Sequence, residues 1–168
     1  MSLGWHSAFA QRIALKTNLL YWATLSPNFE LETRLSPKFT GSIAVTGNFA
    51  KVQDYQPGFV AVEPELRYWF ERPMARHFIG LSGMYTDYDI KWKDMSHTGD
   101  AVGAGLVYGY DFVIGRQWNI ELSIGAGMAR VRDIKYNVTT QQKPESPNNI
   151  GWKPALMRAG VTLSYILK

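Results

Sequence analysis

The chain of 168 residues contains no cysteine. That absence excludes a disulfide-stapled module, a Cys-ligated zinc site and thiol catalysis. There is also no run of about 18 consecutive apolar residues, so the sequence predicts no transmembrane helix. Neither sign of charge dominates: 18 Lys and Arg face 14 Asp and Glu. The bases are scattered over the chain and form no stripe of the kind that binds nucleic acid. Three histidines without tight spacing supply no metal-ligand pattern. No glycine-rich phosphate loop precedes a helix, because Gly103 to Gly109 alternates as a strand. The expectation is therefore no cofactor, no metal and no nucleic-acid partner.

What the chain does have is aromatic residues, at 14%, together with 15 glycines and an ordinary 46% hydrophobic content. That content excludes wholesale disorder, and the length fits one domain or one small barrel. Residues 1–11 join no periodic pattern. Ala8-Phe9-Ala10 before Gln11 has the small-x-small form of a signal-peptidase site. The segment reads as an export-signal remnant or a disordered tail, and residues 12–168 as the domain.

From Arg12 onward the residues alternate with period two, the period of strands. Eight segments emerge and no amphipathic helix competes with them. The first is placed at Ile13 to Leu25 and the second at Phe29 to Leu35. The third carries Phe39, Ile43, Val45 and Phe49, and the fourth Val60, Val62, Leu66, Tyr68 and Phe70. The fifth runs from about His77 to Asp89, and the sixth carries Val102 to Phe112. The seventh starts at Trp118, and the eighth runs from Pro154 to the end, with Met157 on its apolar face. Short connections (Ser36-Pro37-Lys38, Glu71 to Arg76, Gly115-Arg116-Gln117) alternate with long ones (Lys51 to Gly58, Ile90 to Asp100, Asp133 to Trp152). Ser26-Pro27-Asn28 breaks this rule by reading as a tight turn where a long loop is due. Pro64 lacks a ladder donor, so a bulge or a missing bond is expected there.

A soluble barrel turns its apolar face inward, and a membrane barrel turns it outward. The polar face carries Lys16, Glu30, Glu32, Arg34, Glu63, Glu65, Arg67, Asp111, Glu121 and Arg158. It also carries Gly103, Gly105, Gly109, Gly125, Gly127 and Gly160. Small residues suit the narrow interior of an eight-stranded barrel, where these charges are expected to pair across the lumen. Aromatics gather towards the strand ends. Phe39, Tyr68, Phe70, Tyr108, Tyr110, Phe112, Trp118 and Tyr165 stand near the short turns. Tyr21, Phe29, Phe49, Phe59 and Tyr85 stand near the other rim. Two such bands around a Leu, Ile, Val and Ala middle form the girdle pattern of a lipid-facing wall. The expected fold is thus an all-β, eight-stranded, antiparallel, up-and-down transmembrane barrel, with short periplasmic turns and longer outer loops.

Lys16 to Tyr21 running into Ser26 to Glu32, then Pro64-Glu65-Leu66-Arg67-Tyr68-Trp69-Phe70, then Gly103 to Tyr110 with Trp118-Asn119-Ile120-Glu121, resemble the DUF3575 family. The resemblance covers nearly the whole chain from about Arg12. It implies a small OmpA-like outer-membrane barrel of Bacteroidetes-type bacteria, without an established activity. Arg158 to Tyr165 resembles the C-terminal signal read by the barrel assembly machinery, which makes that machinery an expected partner during insertion. Another envelope protein is a further expected partner.

The basic outer rim, Lys91, Lys93, Arg130, Arg132 and Lys135, suggests contact with lipopolysaccharide phosphates. Catalysis has two candidate histidines: His77, which begins a strand beside a short turn and reads as interfacial, and Ser96-His97 with Asp94 and Asp100 nearby, the residue types a nucleophilic hydrolase uses. A solvated loop is the simpler reading, so the chain is not expected to be an enzyme. The leading expectation is a structural or partner-docking outer-membrane protein. A narrow pore for small solutes, a soluble lipocalin-like carrier and a lipid-modifying barrel are the alternatives.

Overall fold

The computed structural model describes residues 12–51, 53–140, 142 and 144–167; the expected N-terminal tail lies outside these. Eight antiparallel strands follow one another around a single closed, ring-like sheet. They are β1 (Ile13–Asn18), β2 (Asn28–Arg34), β3 (Phe39–Asn48), β4 (Tyr55–Trp69), β5 (Arg76–Trp92), β6 (Met95–Val113), β7 (Trp118–Asn137) and β8 (Asn149–Leu167). A short helix, α1 (Leu19–Ala23), follows β1. Pairing of Ile13 with both Thr33 and Leu167 closes the ring, so no strand has an open edge over β1.

Alternation sorts the side chains into two environments. Along one transverse row, Ile13, Thr33, Gly41, Leu66, Leu81, Leu106, Ala126 and Leu156 are successive ladder partners. The leucines in its middle, Leu81 and Leu106, are 59% and 60% exposed. Inside, Lys16, Glu32, Arg67 and Glu121 are buried at 0–2% exposure. The outer face is apolar and the lumen is charged, the reverse of a soluble domain.

Aromatic side chains form a belt at the end that carries the short connections. Phe39 meets Tyr68 edge-on at 5.3 Å between ring centroids, and Tyr68 meets Phe70 at 5.5 Å. Farther round, His77 meets Tyr110 at 4.6 Å, Tyr110 meets Phe112 at 4.5 Å, and Trp118 meets Tyr165 at 4.8 Å. Tyr108 continues the belt through a 2.6 Å hydrogen bond to His77 Nδ1. At the other end, Phe29, Val45, Val62, Tyr85, Val102, Arg130 and Trp152 make a second row of ladder partners.

Several expectations are corrected. The first strand ends at Asn18, because the Asn18 side chain accepts from Leu20 N–H and caps α1. Tyr21 therefore sits on a helix and lines the lumen mouth together with Phe59, so neither belongs to the outward girdle. The connection ending at Ser26-Pro27-Asn28 contains α1 and is no tight turn. The stretch Ile90 to Asp100 is strand except for a two-residue turn, and Asp133 to Trp152 is strand at both its ends. They extend β5 to Trp92, β6 back to Met95, β7 to Asn137 and β8 back to Asn149. Strands β5 to β8 run 17–20 residues, against 6 and 7 for β1 and β2. A register shift between Gly125 and Ala126 lets Met157 turn inward beside Trp69, Phe78 and Val107, off the apolar outer face. At Pro64 the expectation holds. The β4–β5 pairing passes from Val62–Tyr85 to Glu65–Ser82, omitting two pairs without changing register.

Candidate functional site

Among the described residues, charged side chains converge in the lumen. Arg67 stands at its centre, buried and forked across three strands. Its Nε donates to Glu65 at 2.6 Å, and Nη1 to Glu32 at 3.0 Å and to Glu121 at 2.9 Å. Nη2 donates to Glu30 at 2.9 Å. Lys16 from β1 joins Glu121 at 2.6 Å and also pairs with Glu32. Arg158 from β8 pairs with Glu30 and reaches Glu65 at 3.4 Å. Four carboxylates and three bases thus form one connected cluster. Such groups tolerate burial only when paired; each of the seven has an opposite charge within 4 Å, although Glu121 is hydrogen-bonded through Oε2 alone.

Towards the short-turn end, an apolar plug underlies the cluster. Trp69 and Phe78 pack at 4.8 Å, and the Arg67 guanidinium lies over the Phe78 ring at 4.6 Å. The Trp69 indole N–H donates to Thr40 at 2.8 Å, so its polar edge is satisfied. Glycine makes room for these rings. A Cβ on Gly109 would strike the Phe78 ring, and one on Gly105 would approach Met157 Cγ to 2.5 Å. With Lys16, Arg67, Trp69 and Phe78 all at 0–2% exposure, the lumen is occluded at this level.

Above the cluster the lumen opens into a cavity of about 550 Å³. An asparagine clamp shapes its roof. Asn28 Oδ1 accepts from Asn18 N–H at 2.6 Å, and Asn28 Nδ2 donates to Asn18 O at 2.9 Å. Trp22 Nε1 donates to Thr17 Oγ1 at 2.8 Å. Asn48 Nδ2 then donates to Thr24 O and Ser26 Oγ, both at 2.8 Å, tying the end of the α1 connection to β3. These bonds explain locally why Lys16 to Tyr21 and Ser26 to Glu32 stand out as a paired motif.

Of the ten charges expected to form the lumen network, Lys16, Glu30, Glu32, Glu65, Arg67, Glu121 and Arg158 are brought together. Arg34 is not: half-buried at the turn rim, it donates to Ser36 O at 3.3 Å. Asp111 lies apart in the plug, accepting from Asn119 Nδ2 at 3.0 Å. Glu63 is buried on the lumen face of β4 but makes no hydrogen bond or ion pair among the described residues. Of the girdle set, Phe29, Tyr68, Phe70, Tyr85, Tyr108, Phe112 and Trp118 are exposed, and Tyr110 and Tyr165 are half-buried on the same outer face.

The basic rim is less coherent than expected. Arg130 and Arg132 face outward, but Arg132 is held by Asp100 at 2.8 Å. Lys135 falls on the opposite face, because it lies an odd number of residues from both in one strand. Lys91 is outward on β5, and Lys93 sits in the two-residue turn that joins β5 to β6. Ser96 and His97 are consecutive in β6 and so point to opposite faces, which separates them as a catalytic pair. His97 Nδ1 instead joins Asp133 at 3.1 Å. Near it, burial pushes the Tyr88 phenol up to about 12, reinforced by the charges of Asp133 and Asp100. Among the described residues there is no cluster suited to a metal ion.

Sequence reasoning missed Ser26, Asn48, Met84 and Thr86, which line the cavity. Asn48 is legible on the polar face of its strand and Ser26 reads as part of a turn, but the absence of charge gives none of the four a signal. A family model described as "Protein of unknown function (DUF3575)" matches residues 1–167, and the chain belongs to that family. No curated protein and no solved structure matches it.

Proposed function

We propose that this DUF3575 chain is an integral outer-membrane β-barrel with a structural or accessory role, docking an envelope partner through its extended hairpins or its wall. The observation that carries the reading is the reversed polarity of the sheet. Exposed Leu81, Leu106 and Leu156 lie in one outward row, between an aromatic belt at one end and the Phe29–Tyr85–Trp152 row at the other. Transfer of a leucine side chain out of water is worth about 1.5–3 kcal/mol, so such a wall is favoured in hydrocarbon and penalised in water. A closed ring leaves no unpaired strand edge in the bilayer, the requirement for any sheet that spans one. The strands beyond the Tyr85 row then project outside the membrane as wet hairpins. On this reading the OmpA-like topology, a Bacteroidetes-type host, export through a signal peptide and insertion by the barrel assembly machinery go together. Arg130, beside Trp152 and unpaired by Asp100, is the rim base best placed for a lipopolysaccharide phosphate. Charge reversal there should reduce co-purified lipopolysaccharide.

The second reading is a narrow pore, favoured by the charged lumen. The buried Arg67 cluster weighs against it, since opening a path would strip several ion pairs. The experiment is electrophoretic. The membrane-extracted chain should migrate faster unboiled than boiled, and absence from the membrane fraction with no shift would reject the reading. Planar-bilayer recording separates the two membrane roles: steady conductance would select the pore.

A further inference from the structure

Glu63 differs from every other carboxylate of the central lumen. Glu30, Glu32, Glu65 and Glu121 are each held by Lys16, Arg67 or Arg158. Glu63 lies two residues from Glu65 on the same strand face, is only 9% exposed, and has no hydrogen-bond or ion-pair partner among the described residues. Arg158 is already engaged by Glu30 and Glu65. Glu63 borders instead the cavity of about 550 Å³ beneath α1, whose wall also includes Tyr21, Asn48, Phe59 and Met84. That volume lies within the range of small-molecule sites, where an apolar lining and a few placed polar groups set orientation.

The chemistry of the lining selects the ligand. An anion would meet an uncompensated buried carboxylate above a cluster already holding more acids than bases. A neutral apolar molecule would leave Glu63 buried without a partner, which is costly. A bare inorganic cation would find no cluster of three ligating side chains among the described residues. We propose that the cavity binds a small organic ammonium ion, its charged head on the Glu63 carboxylate and its apolar body against Phe59 and Met84. The Phe59 and Tyr21 rings add cation–π attraction. The inference rests on the cavity and the unpaired carboxylate, and holds whether or not the outer wall meets lipid.

The test is calorimetric titration of the folded full chain with phenethylamine, with phenylacetate (the same ring and opposite charge) and with calcium chloride. Phenethylamine should bind saturably and at least tenfold more tightly than either competitor. Glu63→Gln should weaken it tenfold or more without changing the response to phenylacetate. Met84→Trp fills the cavity and leaves the carboxylate in place, so it should also abolish the preference. Circular dichroism checks that each variant is folded; if Glu63→Gln is not, the wild-type series and Met84→Trp decide. Equal affinity for amine and acid, tighter binding of calcium, or amine binding unchanged in a folded variant would overturn the proposal.

Discussion

The two halves of the lumen are lined from the same faces of the same strands, yet they are filled in opposite ways. Between the short turns and Arg158, the central lumen is filled by the paired charges around Arg67 and by rings set against glycines. Between Arg158 and α1, short polar side chains alternate with Tyr21, Phe59 and Met84, one carboxylate is left over, and space remains. The lower half is thus built as a rigid plug and the upper half as a vestibule. The contrast comes from three features of sequence: long acids and bases at Lys16, Glu32, Arg67 and Glu121, glycines facing Phe78 and Met157, and short side chains at Ser26, Thr46 and Thr86.

The sharpest way to break the comparison is Arg67→Met. It leaves four carboxylates without their shared donor, and removing one partner of a buried ion pair costs about 3–5 kcal/mol. The urea midpoint of the folded chain in detergent should fall accordingly, and an unchanged midpoint would dissolve the idea of a cooperative plug. Gly109→Ala drives a methyl group into the Phe78 ring, an overpacking worth about 1–3 kcal/mol. The matched change in the vestibule, Ala61→Val, should cost less by the same assay. Asn28→Ala removes the clamp on the roof and should cost about 1–2 kcal/mol, by leaving the Asn18 backbone groups without partners. It should also raise amide exchange within α1 alone. Glu63→Gln relieves an unpaired buried carboxylate and should raise the midpoint by about 0.5–1 kcal/mol. The same change at Glu121 should lower it. Least of all, His97→Ala on the outer hairpin should stay within about 0.5 kcal/mol of wild type.

What was legible in the sequence was parity. Alternation placed Glu30, Glu32, Glu65, Arg67 and Glu121 on one face and Leu66, Leu81 and Leu106 on the other, and the structure keeps that division. Strand ends were less legible. Leu19-Leu20-Tyr21-Trp22 is continuously apolar and continues a strand as readily as a helix. Only Asn18, a residue type that caps helices, marks the change. The outer halves of β5 to β8 carry polar residues on both faces, so alternation fades where the pairing does not. The inward turn of Met157 depends on a bulge that no local residue announces. The difference between paired Glu65 and unpaired Glu63 was only half legible: the two share strand and parity, Arg67 lies on that same face two residues from Glu65 and four from Glu63, and where Arg158 arrives from β8 is not written in β4.

The central claim is that the apolar face of the ring meets lipid while the charged face is sealed inside. Because the chain has no cysteine, a single one can be placed at will. Leu81→Cys and its neighbour Ser82→Cys would each be labelled, in the folded chain in phospholipid vesicles, with a polarity-sensitive fluorophore. Position 81 should label readily, emit at blue-shifted wavelength and be quenched by spin labels on the acyl chains, whereas position 82 should resist labelling. Water-like, unquenched emission at 81, or lipid quenching at 82, would contradict the claim.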